Sequence, residues 1–205
     1  MSGQPRIALV DYGSGNLRSV EKALEVCGAR VVRAVSHEIL ETVEAVVVPG
    51  VGAFGDCAEN LRRAGMWEPL HDWLRQGFPF LGICLGYQLL FESSEESPGV
   101  RGWGILPGSV VRFQGAGLKV PHMGWNSLSG LGGPLFRGFE SEPWVYFVHS
   151  YYPKVDEEGF VSSFCDYGQR FAASVSVGRI HATQFHPEKS QECGLRILKG
   201  FIGTL

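Results

Sequence analysis

The run Gly82-Ile83-Cys84-Leu85-Gly86 constrains this chain more than any other, because it sets a thiol on a turn between two elements of different period. Ahead of it, Pro79-Phe80-Leu81 is a short apolar run that reads as a buried strand. Behind it, Tyr87-Gln88-Leu89-Leu90-Phe91-Glu92 reads as a helix. Gly-x-Cys-x-Gly is the thiol counterpart of the Gly-x-Ser-x-Gly elbow, in which flanking glycines permit a strained turn and keep the nucleophile's neighbours small. A thiol placed there lies at a helix N-terminus, whose N–H groups and dipole favour the thiolate. A structural cysteine buried in an apolar strand is the plainer alternative.

A thiolate nucleophile needs a base, and His186 stands out among the six histidines, in Thr183-Gln184-Phe185-His186-Pro187-Glu188-Lys189. Pro187 biases His186 toward an extended backbone, where residues two apart share a side, so His186 and Glu188 can lie together. The carboxylate would accept from one ring nitrogen, fix the tautomer and turn the other nitrogen toward the thiol. The order Cys…His-x-Glu differs from the nucleophile, acid, His order of the α/β-hydrolases.

Around this pair the chain alternates. Arg6–Val10 reads as a strand, Asn16 as the cap of a helix that stops at Gly28, and Arg30–Val35 and Ala45–Val48 as further strands. Asp56 opens a helical region that runs through Gln76, broken near Gly65. The expectation is an α/β fold with an open, mostly parallel central sheet flanked by helices. From Trp103 the pattern changes to short strands at Ser109–Phe113, Trp144–His149, Phe160–Cys165 and Phe171–Val177, which predicts an antiparallel C-terminal portion returning to the elbow with the His186 loop. Ser190 is placed as the cap of a last helix. With 205 residues and no linker or repeat, residues 1–205 are expected to form a single domain.

Composition narrows the partners. A net charge of −3 offers no basic footprint for nucleic acid. No apolar stretch approaches the roughly 18 residues that cross a bilayer, and no cleavable leader is visible. Five cysteines without a Cys-x-x-Cys spacing suit a reducing compartment, which makes a cytoplasmic enzyme the plain reading.

Gly50-Val51-Gly52-Ala53-Phe54-Gly55 matches Gly-x-Gly-x-x-Gly after a strand, so a nucleotide-binding module is one reading, with Asp72 near the expected ribose distance. A loop at the end of a parallel strand beside the elbow strand can instead aim a backbone N–H at Cys84 as an oxyanion hole, and a plain tight turn is a third reading. Gly13-Ser14-Gly15 looks like the start of a phosphate loop but has Arg18 where the third glycine belongs. Gln88, four residues after Cys84 on the same helix face, can reach a substrate held at the thiol; otherwise it is a solvated helix residue. His122 and His181 lack metal-cluster spacing and are read as structural or interfacial.

Gly82-Ile83-Cys84-Leu85-Gly86-Tyr87-Gln88 followed by His186-Pro187-Glu188 resembles the triad-type (class I) glutamine amidotransferases. Asp11-Tyr12-Gly13-Ser14-Gly15-Asn16-Leu17, Pro49-Gly50-Val51-Gly52-Ala53-Phe54 and Pro121-His122-Met123-Gly124-Trp125-Asn126 are similar to the branch that serves histidine biosynthesis. The resemblance implies a catalytic triad of Cys84, His186 and Glu188 that hydrolyses L-glutamine, with oxyanion donors from Leu85 and from Gly50, Val51 and Gly52. It implies glutamine binding by Gln88, Glu96, His149, Ser150 and Tyr151, and neither metal nor organic cofactor. It also implies a (β/α)8-barrel cyclase subunit that takes the ammonia, docked through Asn16, His122, Met123, Trp125, Asn126, Tyr146 and Lys189. The alternatives are an amidotransferase subunit of another pathway, a cysteine hydrolase of other amides or esters, and the nucleotide-binding module.

Overall fold

A computed structural model describes residues 3–13 and 16–205, so Ser14 and Gly15 of the N-terminal glycine loop lie outside the described residues. The first half alternates: β1 (Arg6–Val10), α1 (Leu17–Val26), β2 (Arg30–Ala34), β3 (Ala45–Gly50), α2 (Phe54–Arg63), α3 (Trp67–Arg75) and β4 (Phe80–Cys84). A single helical turn, α4 (Leu85–Gln88), leads into β5 (Ser93–Ser94), β6 (Ser109–Arg112), β7 (His122–Ser127) and β8 (Trp144–His149). Then follow β9 (Tyr151–Lys154), β10 (Val161–Asp166), β11 (Arg170–Val177), β12 (Ile180–Thr183) and α5 (Gln191–Ile202).

Seven strands form one sheet in the order β10-β11-β12-β4-β3-β1-β2. From β12 to β2 every pairing is parallel, while β10 and β11 add antiparallel at the far edge. The central strands carry unbroken apolar runs because both faces are covered. Successive side chains point to opposite faces. Ile7, Leu9, Ala45 and Val47 therefore pack with Val20 and Leu24 of α1 and Leu198 and Phe201 of α5. Ala8, Val10, Val46 and Val48 pack on the other side with Phe54, Leu61, Leu70 and Leu74 of α2 and α3. The expected mostly parallel sheet with an antiparallel C-terminal portion is the one that forms. β7 and β12 were not foreseen, since His122-Met123-Gly124-Trp125-Asn126 and Ile180-His181-Ala182-Thr183 carry no clean period-two pattern.

Three local expectations need correction. The helix expected to run to Glu92 ends at Gln88. The carbonyls of Leu89, Leu90 and Phe91, which a longer helix would use, accept instead from Trp103, Leu106 and Gly104. Asn16 stands at the start of α1 without a side-chain cap bond. Ser190 stands at the start of α5, but its hydroxyl donates to the His186 carbonyl at 2.7 Å and accepts from the Tyr146 N–H at 2.9 Å.

The elbow itself is strained. Cys84 has φ 55°, one of only two positive-φ residues other than glycine among those described. The turn is tight enough that a Cβ on Gly86 would run into the Val48 carbonyl, and one on Gly82 would meet the Gly86 carbonyl oxygen at 2.5 Å. A side chain at Gly132, by contrast, meets nothing within 4 Å. Gly86→Ala should therefore cost about 1–3 kcal/mol or more in urea unfolding, and Gly132→Ala less than about 0.5 kcal/mol. Equal losses would show that this close approach is not what shapes the turn.

Candidate active site

Cys84 ends β4 in the middle of the sheet, with Gly50 of β3 as its register partner. This is the crevice beyond the carboxyl ends of parallel strands, where open α/β sheets bind ligands. The Cys84 side chain borders a cavity of about 370 Å³ together with Val51, Gly52, Leu85, Gln88 and His186. The same cavity is lined by Glu96, His149, Ser150 and Tyr151, so the expected nucleophile, base and glutamine-binding residues meet in one place. The Leu85 N–H opens α4 and is not used by that helix's own ladder. Because α4 is a single turn, it offers little macrodipole at Cys84.

His186 arrives from β12, which pairs in parallel with β4 and brings Thr183 opposite Ile83. Its backbone N–H donates to the Tyr146 carbonyl at 2.9 Å, and its own carbonyl accepts from Ser190. His186 is extended, as Pro187 requires, but Pro187–Lys189 forms a 3-10 turn rather than continuing the extended chain. That turn, not period-two alternation, brings the Glu188 Oε1 to 2.8 Å from His186 Nδ1. Both side chains are buried.

Burial opposes the charged imidazole. Hydrogen bonding and charge from Cys84 and Glu188 outweigh it and lift His186 from 6.5 to about 10. Nδ1 is held by Glu188, while Nε2 is buried without a partner in hydrogen-bond geometry, although it lies near enough to Cys84 to couple to it. Such contacts commonly tighten only when substrate arrives. The arrangement suits a charged imidazolium facing the Cys84 sulfur at neutral pH.

Gln88 is not a solvated helix residue: it is 2% exposed. Its Nε2 donates to the Tyr151 carbonyl at 3.0 Å and to Gln184 Oε1 at 3.1 Å, leaving a buried Oε1 unpartnered beside the cavity. Glu96 lies in a turn, where its Oε2 accepts from the Phe54 N–H at 2.8 Å. Ser97 Oγ accepts from the Gly55 N–H at 2.9 Å, so two residues from a distant turn cap α2. This disfavours the nucleotide reading of Gly50–Gly55, since a carboxylate already stands where a phosphate would meet the helix.

A buried polar chain leads away from the cavity. A carbonyl can only accept, so the 2.8 Å contact between His149 Nδ1 and the Tyr151 oxygen makes Nδ1 the donor and His149 Nε2 an acceptor. His122 Nδ1 then donates to His149 Nε2 at 3.1 Å, and Asn126 Nδ2 donates to His122 Nε2 at 3.3 Å. Burial lowers His149 to about 3 and His122 to about 4, in keeping with two neutral rings.

The expected docking residues divide. Met123 and Trp125 on β7 are 60% and 43% exposed, and Asn16 and Lys189 are exposed as well. Trp125 meets the Tyr146 ring edge-on across β7–β8, and Lys189 Nζ lies 5.8 Å from that ring. His122 is buried at 3%, so it stands beneath this face and cannot touch a partner itself. The sequence singles out Ser190 only as a helix cap and does not single out Gln184. Gln184 sits two residues before His186, and that adjacency was the one available signal. No group of three or more His, Cys, Asp or Glu fit for a metal occurs among the described residues, nor any helix long and apolar enough to cross a membrane.

Comparison with known proteins accords with this geometry. Residues 8–202 match the family described as glutamine amidotransferase class-I. The chain is 50% identical over 202 residues to imidazole glycerol phosphate synthase subunit HisH of Geobacter metallireducens, covering 95% of this chain and 96% of that protein. It is 48% identical to the protein of the same name from Methanothermobacter thermautotrophicus, covering 96% and 97%. Among solved structures, PurLQS from Thermotoga maritima superposes with a TM-score of 0.78 at 20% identity over 98% of each chain, a likeness of fold.

His122, His149 and His181 are all neutral when folded, His181 being held near 4 by burial, and all regain an ordinary value near 6.5 when unfolded. Each takes up a proton on unfolding, so their contribution is complete above about pH 6.5 and is lost as the pH falls toward 3–4. The slope should reach about 1.4 kcal/mol per pH unit for each histidine. Urea midpoints measured from pH 7 to 4 should fall, and His149→Asn should flatten that fall. An unchanged slope in the variant would contradict a neutral His149.

Proposed function

This chain belongs to the glutamine amidotransferase class-I family, and from that premise we propose that it is the glutaminase subunit of an imidazole glycerol phosphate synthase. The observation that carries this reading is the burial of the His186–Glu188 pair against the cavity that Cys84 borders, in a chain half identical to synthase subunits over nearly its whole length. The Cys84 thiolate attacks the side-chain amide carbon of glutamine. The Leu85 N–H and an N–H from Gly50–Gly52 hold the oxyanion. His186 protonates the departing ammonia, then takes a proton from the water that cleaves the thioester to glutamate. Gln88 Oε1, Glu96 and the His149–Tyr151 segment bind the amino-acid end.

Ammonia released into water is lost, so an acceptor subunit must stand close by. We read that subunit as a (β/α)8-barrel cyclase seated on Asn16, Met123, Trp125, Asn126, Tyr146 and Lys189. There the ammonia enters a phosphoribulosyl-formimino aminoimidazole carboxamide ribonucleotide. Residues 1–205 form one domain in this reading, supported by core clusters on both faces of a single sheet. Five free thiols suit the cytoplasm.

Cys84→Ala should abolish glutamine hydrolysis while the assembled synthase still uses added ammonium salts; retained glutaminase activity would sink the assignment. His186→Ala should be nearly as damaging, and Glu188→Gln less so, because the carboxylate only orients the ring. Steady-state rates that rank Glu188→Gln below His186→Ala would reverse these roles.

Docking is tested separately. Gly52 has φ 101°, and a loop that rests with its N–H turned away from the oxyanion forfeits ~10²–10³ in kcat. Adding the cyclase subunit and its nucleotide ligand should therefore raise the glutaminase rate sharply, and Trp125→Ala should weaken that response. Equal rates for the free chain, the complex and the liganded complex would remove the regulatory reading.

A further inference from the structure

Gln184 is fully buried between the end of β12 and His186, and neither the triad nor the glutamine-binding group includes it. Its Nε2 lies 3.7 Å from Cys84 Sγ, within reach of a hydrogen bond to sulfur. The orientation of its amide follows from its neighbours. The Tyr151 carbonyl can only accept, so the Gln88 group that meets it at 3.0 Å is the NH2. The same NH2 meets Gln184 at 3.1 Å, and that atom must therefore be the Gln184 oxygen. The Gln184 NH2 is left facing the sulfur. From behind, the Gln184 backbone N–H is tied to the Ala173 carbonyl at 2.8 Å.

We propose that Gln184 is a further catalytic residue for the glutaminase reaction, donating an N–H to Cys84 Sγ so that the sulfur is held as thiolate opposite His186, with Gln88 fixing the direction of the donated bond. A thiol is a weak acceptor and a thiolate a strong one, so an N–H locked in this position favours the charged form. Gln88 then has two tasks. Its NH2 orients Gln184, while its free Oε1 faces the cavity. This inference rests on the glutaminase reading but is tested at the sulfur, without glutamine.

The experiment measures alkylation of Cys84 by iodoacetamide in the assembled synthase across neutral to alkaline pH, following the Cys84 peptide by mass spectrometry. Gln184→Met keeps the length of the side chain and removes the donor; the alkylation midpoint should rise by about one pH unit. Glutaminase kcat should fall about 10–100-fold with KM changed less than about threefold. Gln184→Glu keeps the acceptor for Gln88 but turns an oxygen toward the sulfur, and its midpoint should rise further. It also serves as the test if the Met variant does not fold. A space-filling role would lower the melting temperature of both variants and leave the midpoint where it is. That outcome, or a kcat within twofold of the wild type, overturns the proposal while leaving the assignment of Cys84 to its own assay.

Discussion

Between Gly86 and the Val48 carbonyl there is no room for a methyl group, and that contact decides where the Cys84 thiol sits. It presses the first turn of α4 against β3 and forces the reversal of direction onto Cys84, which takes up φ 55°. Strain of this kind persists only where the surroundings over-determine it. Here they do. β4 is buried along its whole length between β3 and β12, and the segment after α4 is fixed by its carbonyl bonds to residues 103–106. Cys84 is therefore presented by a strand buried along its whole length, while His186 arrives on a loop from the neighbouring strand.

The same side-chain type is driven in opposite directions within one cavity. His149 and His186 both line it and both are buried. His149 faces a carbonyl and another imidazole, and its hydrogen bond to the Tyr151 carbonyl offsets only part of the cost of burying its charge, so it stays neutral. His186 faces a carboxylate and a thiol, which more than offset that cost. Partners, not burial, separate a structural histidine from a reactive one.

Much of this was legible in the sequence because it depends on local rules. Alternating apolar runs gave the parallel sheet, and glycines at 82 and 86 marked the elbow. That Glu188 lies beside His186 could be expected from the residue types, although a 3-10 turn rather than extended spacing brings them together. What was not legible depends on distant segments. The length of α4 was decided by carbonyls that residues 103–106 capture. The cap of α2 came from Glu96 and Ser97, some forty residues away. Nothing in the sequence beyond its nearness to His186 singles out Gln184, and only the direction of the Gln88 amide reveals where its NH2 points.

The bonds that join the outer strands to the reacting groups share one property. Tyr146 holds His186 and Ser190 through its main-chain carbonyl and N–H, and Tyr151 receives Gln88 and His149 on its main-chain carbonyl. None of these links uses the tyrosine ring. Substitutions along the outward side of β7 and β8 can therefore accumulate without loosening His186, provided the backbone path is kept. The side chains on this face are thus free to vary independently of the buried imidazole and amides behind them, because the two are joined only through main-chain atoms.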